Sequence, residues 1–285
     1  MLKVKVSVPA SCVGLVPGAD MLGLALGLHD TLEFSIRADT QFVIETSGEG
    51  DYPASLRHPA MRAAVALFQR FEQAPAGFSV SIESRIPVGC GLGDLAALTV
   101  GGLVAANNLI GTPLKREQIA EMAAALTGQP APVVTSLFGG LTATVAGDKL
   151  LFRRLDTSAQ TLVLALPSEL KKPDAKADRA VFAALAGRTA LLIEAFRKND
   201  MALLADLLRD TTAQAARLPS GLEAAARKAG ALGVAWCGEG PALLAFATGN
   251  HRAIEAEMQR ALGGTKARTW LVNLDTQGVS VSVSG

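Results

Sequence analysis

The sequence predicts an α+β protein of two lobes, on three observations. First, 285 residues with 49% hydrophobic content are enough for about two cores. Second, short alternating apolar segments are interleaved with segments of helical period along the whole chain. Third, both halves, divided near residues 155–160, carry strands as well as helices. The expected domains are therefore residues 1–157 and 158–285.

The elements follow in order. Residues 4–8 (VKVSV) alternate and read as a first strand. A Gly/Pro loop is expected over 9–20, then a short apolar helix at 21–28 (MLGLALGL). Residues 32–37 and 41–46 read as strands around a turn, and the Gly/Asp/Pro cluster at 48–53 as a surface loop. Helical period covers 59–73. Residues 78–84 (FSVSIES) form a strand that runs through RIPVGCGLG into an apolar helix over 94–108. An amphipathic helix follows at 115–126 and an apolar segment at 133–138. Residues 140–146 and 149–154 read as a hairpin over a Gly-Asp turn. The second half opens with a strand at 161–166 and continues through helices over 178–198, 201–217 and 220–230. Strands near 234, 243, 270 and 281 enclose a helix at 253–262.

Composition excludes several functions. With 27 Lys+Arg against 26 Asp+Glu the formal charge is +1, which gives no footprint for a nucleic-acid backbone or an acidic membrane. The expected partner is a small molecule. Three distant cysteines (12, 90, 237) form no disulfide framework and no metal spacing, which points to a reducing, cytoplasmic setting. Three histidines offer no zinc pair. Pro9, Pro17, Gly18 and Asp20 interrupt the apolar start of the chain, so neither a signal core nor a membrane helix is expected there.

Three segments could carry chemistry. In residues 86–93 (IPVGCGLG) the glycines let a backbone approach a ligand, and the following helix offers unpaired N–H groups to an anion. This is neither a Gly-Lys-Ser/Thr loop nor a dinucleotide fingerprint. The second segment, residues 236–246 (WCGEGPALLAF), reads by itself as a hairpin. The third is an arginine pair. Arg188 shares its helix face with Leu185, Leu191 and Leu192, so its guanidinium needs an anion from the protein or from a ligand. Arg217 ends a helix, where a cation also suits the dipole.

In order and spacing these segments resemble one family, the GHMP-type small-molecule kinases, and among them the homoserine kinases. Residues 9–26 (PASCVGLVPGADMLGLAL) resemble PASSANLGPGFDCLGLAL, and IPVGCGLGDLAAL resembles the phosphate loop IPLGxGLGSSAAA. TGQPAPVVTSLFGGL at 127–141 resembles EGHPDNVAPALLGGL, and CGEGPALLAF resembles SGAGPTxxAL. The resemblance implies a ribosomal protein S5 domain 2-like N-terminal domain and a ferredoxin-like C-terminal domain, with the site in the cleft between them. It implies ATP and Mg²⁺, with Pro87, Gly89, Gly91, Leu92 and Gly93 binding the nucleotide. Asp20, Arg188, Arg217, Gly238 and Gly240 would bind a carboxylate-bearing substrate, and Asp20 would also serve catalysis. A homodimer is compatible with it.

The departures from the family lie where the chemistry is. Asp94 and Leu95 replace the Ser-Ser pair, Thr127 the Glu, Gln129 the His, Ala131-Pro132 the Asp-Asn, and Gly14 the Asn. Asp94 reads either as the N-cap of the next helix or as a replacement metal ligand and catalytic residue. Asp20 reads as an N-cap or a substrate contact. Cys90 reads as a small packed residue or a thiol of lowered pKa, and Glu239 as a turn residue or a ligand contact. Three functions stay open: an ATP-dependent kinase for a small hydroxy amino acid, a diverged enzyme of elimination, isomerisation or cyclisation, and a non-catalytic ligand-binding relative.

Overall fold

The structure is a computed structural model that describes residues 2–15, 21–167, 179–209, 218–219, 221–238, 240–263 and 267–285, with 179–185 and 209 described by backbone alone. Two sheets organise it. Seven strands make the first: β1 (Lys3–Val13), β2 (Leu22–Ile36), β3 (Phe42–Gly48), β4 (Phe78–Ser84), β5 (Leu141–Val145), β6 (Leu151–Leu155) and β11 (Ser280–Ser284). Their order is β11-β1-β2-β4-β3, and β5 with β6 extends from the near end of β2. Four strands make the second, in the order β10 (Arg268–Asn273), β7 (Thr161–Leu166), β9 (Leu243–Phe246) and β8 (Gly233–Trp236).

The strand expected at 4–8 is longer than its alternation suggests. β1 passes through a register shift at Pro9/Ala10 and pairs with β2 as far as Val13. The expected helix at 21–28 is a correction: these residues open β2. Leu22, Leu24 and Leu26 alternate along it, and the strand is bonded to β1 on one side and β5 on the other. Being buried on both faces, it reads as an unbroken apolar run, which periodicity cannot distinguish from a buried helix. Nor do the strands near 32–37 and 41–46 form a hairpin. β3 pairs in parallel with β4, and β4 lies between it and β2 because α1 (Pro59–Phe71) provides the crossover.

The first sheet is covered by α1, α2 (Asp94–Leu109), α3 (Arg116–Thr127) and α4 (Pro130–Phe138). The apolar segment expected at 133–138 is thus the body of α4, with proline in its first turn. α2 is apolar nearly all round, as a central helix must be, and packs on α1, α3, α4, β1 and β2.

The second lobe adds α5 (Arg179–Lys198), α6 (Met201–Arg209), α7 (Leu222–Lys228) and α8 (His251–Leu262). Once α5 and α6, which follow β7, are set aside, the order β7–α7–β8–β9–α8–β10, with β7 and β10 paired at one side and β8 at the far edge, is the ferredoxin-like arrangement. Leu222, Ala226, Ile254 and Met258 fill one face of its sheet. Leu192, Phe196 and Leu204 fill the other, where the core runs on into the first lobe. β11 leaves this lobe and pairs with β1, so a single division at 157 assigns the last strand to the wrong sheet. Among the described residues no helix is long and apolar enough to cross a membrane.

Candidate active site

Two glycine turns from different lobes meet at the centre of the molecule. The first follows β4, where Gly89, Gly91 and Gly93 have φ of 68°, 80° and 72°, a left-handed backbone that glycine adopts at little cost. The second is the turn between β8 and β9. A Cβ on Gly91 would stand 2.0 Å from the Cys237 carbonyl oxygen, and one on Gly240 2.0 Å from the Cys90 carbonyl carbon. Backbone therefore packs on backbone, and Ala242 N donates to Cys90 O at 3.1 Å while Gly238 N donates to Val13 O at 2.6 Å. The turn at 238–240 is not a free hairpin but a buttress for the first loop.

A cleft of about 650 Å³ opens in front of the two turns. Its floor is Gly89, Gly91, Gly93, Gly238 and Gly240. One wall is Ser11, Val13 and Met21; another is residues 128–132; Thr144, Val145 and Ala146 close a third side. A Cβ on Gly89 would meet nothing within 4 Å, so the loop is open to a ligand there. The floor ends at the N-terminus of α2, whose first N–H groups have no acceptor within the helix. Backbone amides and a helix dipole are a fit for phosphate oxygens.

Asp94 is the acidic side chain of the described lining. It does not cap its helix: Gly93 is the N-cap and Asp94 the first helical residue. Its carboxylate accepts instead from the Tyr52 hydroxyl at 2.7 Å and from Gly89 N at 3.3 Å, and it is 8% exposed. Burial, then the hydrogen bond to Asp94, push the Tyr52 hydroxyl well above its ordinary pKa, so it stays a donor. One carboxylate on a phosphate loop fits Mg²⁺, which takes one or two carboxylates together with substrate phosphates. The hydroxyls of Ser11 and Thr144 are buried in the cleft wall with no hydrogen-bond partner among the described residues.

The other residues singled out by sequence are scattered. Pro87 and Leu92 belong to the glycine loop, with Leu92 O accepting from Ser11 N at 2.9 Å. Cys90 donates to Val88 O, and burial followed by the charge of Asp94 pushes its thiol up, so the reading as a thiol of lowered pKa is corrected. Arg188 stands in the middle of α5, outside the described lining, and donates to the Leu207 carbonyl of α6. Asp20, Arg217 and Glu239 lie outside the described residues. Sequence reasoning missed Ser11, Tyr52 and Thr144. The one available signal was that Tyr52 is the only tyrosine in the chain, set in a loop otherwise poor in large side chains.

The chain is similar to known proteins over most of its length. Residues 58–140 match the GHMP kinases N terminal domain. The chain is 33% identical to a homoserine kinase of Moorella thermoacetica over 270 residues, covering 90% of this chain and 91% of that one. It is 34% identical to one of Trichormus variabilis, covering 97% and 98%. In solved structures it is similar to a homoserine kinase from Cytophaga hutchinsonii, with a TM-score of 0.85 at 21% identity over 98% of this chain and 97% of that one. It also resembles the L. major mevalonate kinase, with a TM-score of 0.71 at 16% identity over 95% and 96%. At those identities the two structures establish the fold.

Proposed function

The chain belongs to the homoserine kinase family of the GHMP kinases, and from that premise we propose that it transfers the γ-phosphoryl group of ATP to the hydroxyl of homoserine or a closely related hydroxy amino acid. The observation that carries the reading is the glycine floor against the α2 N-terminus, open at Gly89. A phosphoryl transfer breaks the Pγ–O bond to the ADP oxygen, forms a bond to the acceptor oxygen and releases the hydroxyl proton. Its catalysis is chiefly positioning and charge stabilisation.

The residues divide that work. Backbone N–H groups of the glycine loop and the first turn of α2 hold the phosphates. Asp94, steadied by Tyr52, holds Mg²⁺, which when bound neutralises charge on the β- and γ-phosphates. The partnerless hydroxyls of Ser11 and Thr144 meet polar groups of the acceptor. Arg188 and Arg217 hold the substrate carboxylate and Asp20 its polar end.

A second reading is favoured by one observation. The wall formed by residues 128–132 carries glutamine, alanine and proline where the family motif has His and Asp-Asn, as befits an acceptor side that binds without transferring. One assay separates the two: ADP release from Mg·ATP with homoserine and a panel of hydroxy amino acids. Turnover above the ATPase background supports the kinase. Folded protein that binds nucleotide but releases no ADP with any acceptor supports the second reading.

A further inference from the structure

The glycine loop begins where β4 leaves the sheet. The β2–β4 ladder runs from Ile36↔Phe78 to Thr31↔Glu83 and ends there. Beyond it the N–H groups of Arg85 and Ile86 have lost their place opposite β2. A side chain supplies the acceptor instead: Asp30 Oδ1 takes Arg85 N at 2.7 Å and Ile86 N at 2.9 Å. Asp30 belongs to β2 and is 0% exposed, and its second oxygen is buried without a hydrogen-bond partner among the described residues. Burying a carboxylate with half its lone pairs unmet is costly, and nothing in the packing of the sheet requires a charge at this position.

We propose that Asp30 is the positioning residue of the phosphate loop: by gripping the two amides at its root it sets where Gly89–Gly93 lie beneath the nucleotide phosphates. The proposal rests on the kinase reading for the ligand but on Asp30 geometry for the loop. Both amides converge on one oxygen, so a movement of that oxygen moves the root of the loop as a unit. Gly89 follows Ile86 by three residues, too short a tether to absorb the displacement.

The grip is also sensitive to protonation. Burial raises the Asp30 pKa to about 6, against the pull of the Ile86 and Arg85 amides; the charge of Asp94 on α2 adds to the rise and His29, its neighbour on β2, opposes it. Tyr52, in the loop before α1, also faces this group. A charged carboxylate is the stronger acceptor, so the loop is held most tightly above about pH 6.

The test uses the full chain, Asp30→Ala and Asp30→Asn, the second keeping an oxygen at the Oδ1 position. The readouts are amide hydrogen exchange and binding of a fluorescent ATP analogue carrying a methylanthraniloyl ribose. In Asp30→Ala, exchange at Arg85 and Ile86 should accelerate tenfold or more while Val6 and Val80 stay protected, and the analogue's Kd should rise about tenfold. Asp30→Asn should restore both to within about threefold at pH 8. Between pH 7.5 and 5.5 the native protein should lose affinity, whereas Asp30→Asn should lose markedly less. Unchanged exchange in Asp30→Ala, or an unchanged Kd, overturns the proposal. If Asp30→Ala fails to fold, the Asn variant decides, and the same pH response in it as in the native protein overturns the proposal. Native protein that binds no analogue instead sinks the kinase reading and the phosphate part of the proposal with it; the exchange comparison still decides whether Asp30 ties the loop.

Discussion

Tyr52 donates its phenolic hydrogen to Asp94 Oδ2 at 2.7 Å, so a residue of the loop before α1 steadies the carboxylate at the first turn of α2. Some 42 residues separate the two in sequence. The edge-on contact of Tyr52 with His58, ring centroids 5.6 Å apart, fixes the phenol from the other side. Hydrogen bonds to charged groups contribute about 1.5–3 kcal/mol, less where water can replace them. Tyr52→Phe should therefore lower stability by about 1 kcal/mol in urea unfolding. It should also raise the Mg²⁺ concentration needed for half-maximal turnover, because the carboxylate is freed to rotate.

Asp94 can be separated from its role in the fold. Asp94→Asn keeps the shape but loses the charge offered to a metal, and turnover should fall by at least thirtyfold, about 2 kcal/mol at ~1.4 kcal/mol per decade. Asp94→Ser places in the loop the residue type of the family motif and should retain most of the activity. Equal rates for the Asn variant and the native protein would remove Asp94 from the mechanism.

Three glycines can be ranked by what surrounds them. Gly89→Ala meets nothing within 4 Å but sits at φ 68°, so it should cost only the left-handed penalty of about 1–2 kcal/mol. Gly91→Ala and Gly240→Ala place a methyl 2.0 Å from backbone of the opposing turn. Neither backbone can yield without separating the lobes, and each should cost several kcal/mol. Chemical denaturation of the three variants checks the order, and a Gly240→Ala protein as stable as Gly89→Ala would contradict the buttress.

Acid should expose His58. It caps α1, with Nδ1 accepting from Ala60 N at 3.3 Å, and burial lowers its pKa to about 4. The unfolded imidazole titrates near 6.5, so from about pH 6.5 down to 4 the unfolded chain binds the extra proton and stability falls. His58→Asn keeps a capping side chain without that titration, and its stability relative to the native protein should improve steadily between pH 7 and 4.5. Asp30 acts in the opposite sense: its raised pKa favours the folded state as pH falls from about 6 towards 4. Asp30→Asn removes that buried charge and should therefore stabilise the protein near pH 7.5, as urea unfolding would show.

Most of the fold was legible in the sequence because it depends on local patterns. Alternation marks β4 and the start of β1, and helical period marks α1 and α3, whatever lies around them. The exceptions share a cause. The segment 21–28 is apolar throughout because β2 is covered on both faces, and only its neighbours β1 and β5 reveal a strand. The pairing of β3 with β4 and the return of β11 to β1 are long-range choices that no window of residues contains. The cysteines illustrate the same limit: Cys12 and Trp236, far apart in the chain, meet in the structure, where the Cys12 thiol donates to the Trp236 carbonyl.

By itself the sequence determined the glycine loop, its place between strand and helix, and the kinship those spacings carry, since φ freedom and helix initiation are properties of a few adjacent residues. Tertiary structure alone decided what the loop rests on and who holds its charges. Gly240 beneath Gly91, Tyr52 on Asp94 and Asp30 on Ile86 each join segments distant along the chain. The first joins the two lobes and the other two join parts of one lobe, and all three come into being only when the chain has folded around its core and excluded water from the backbone.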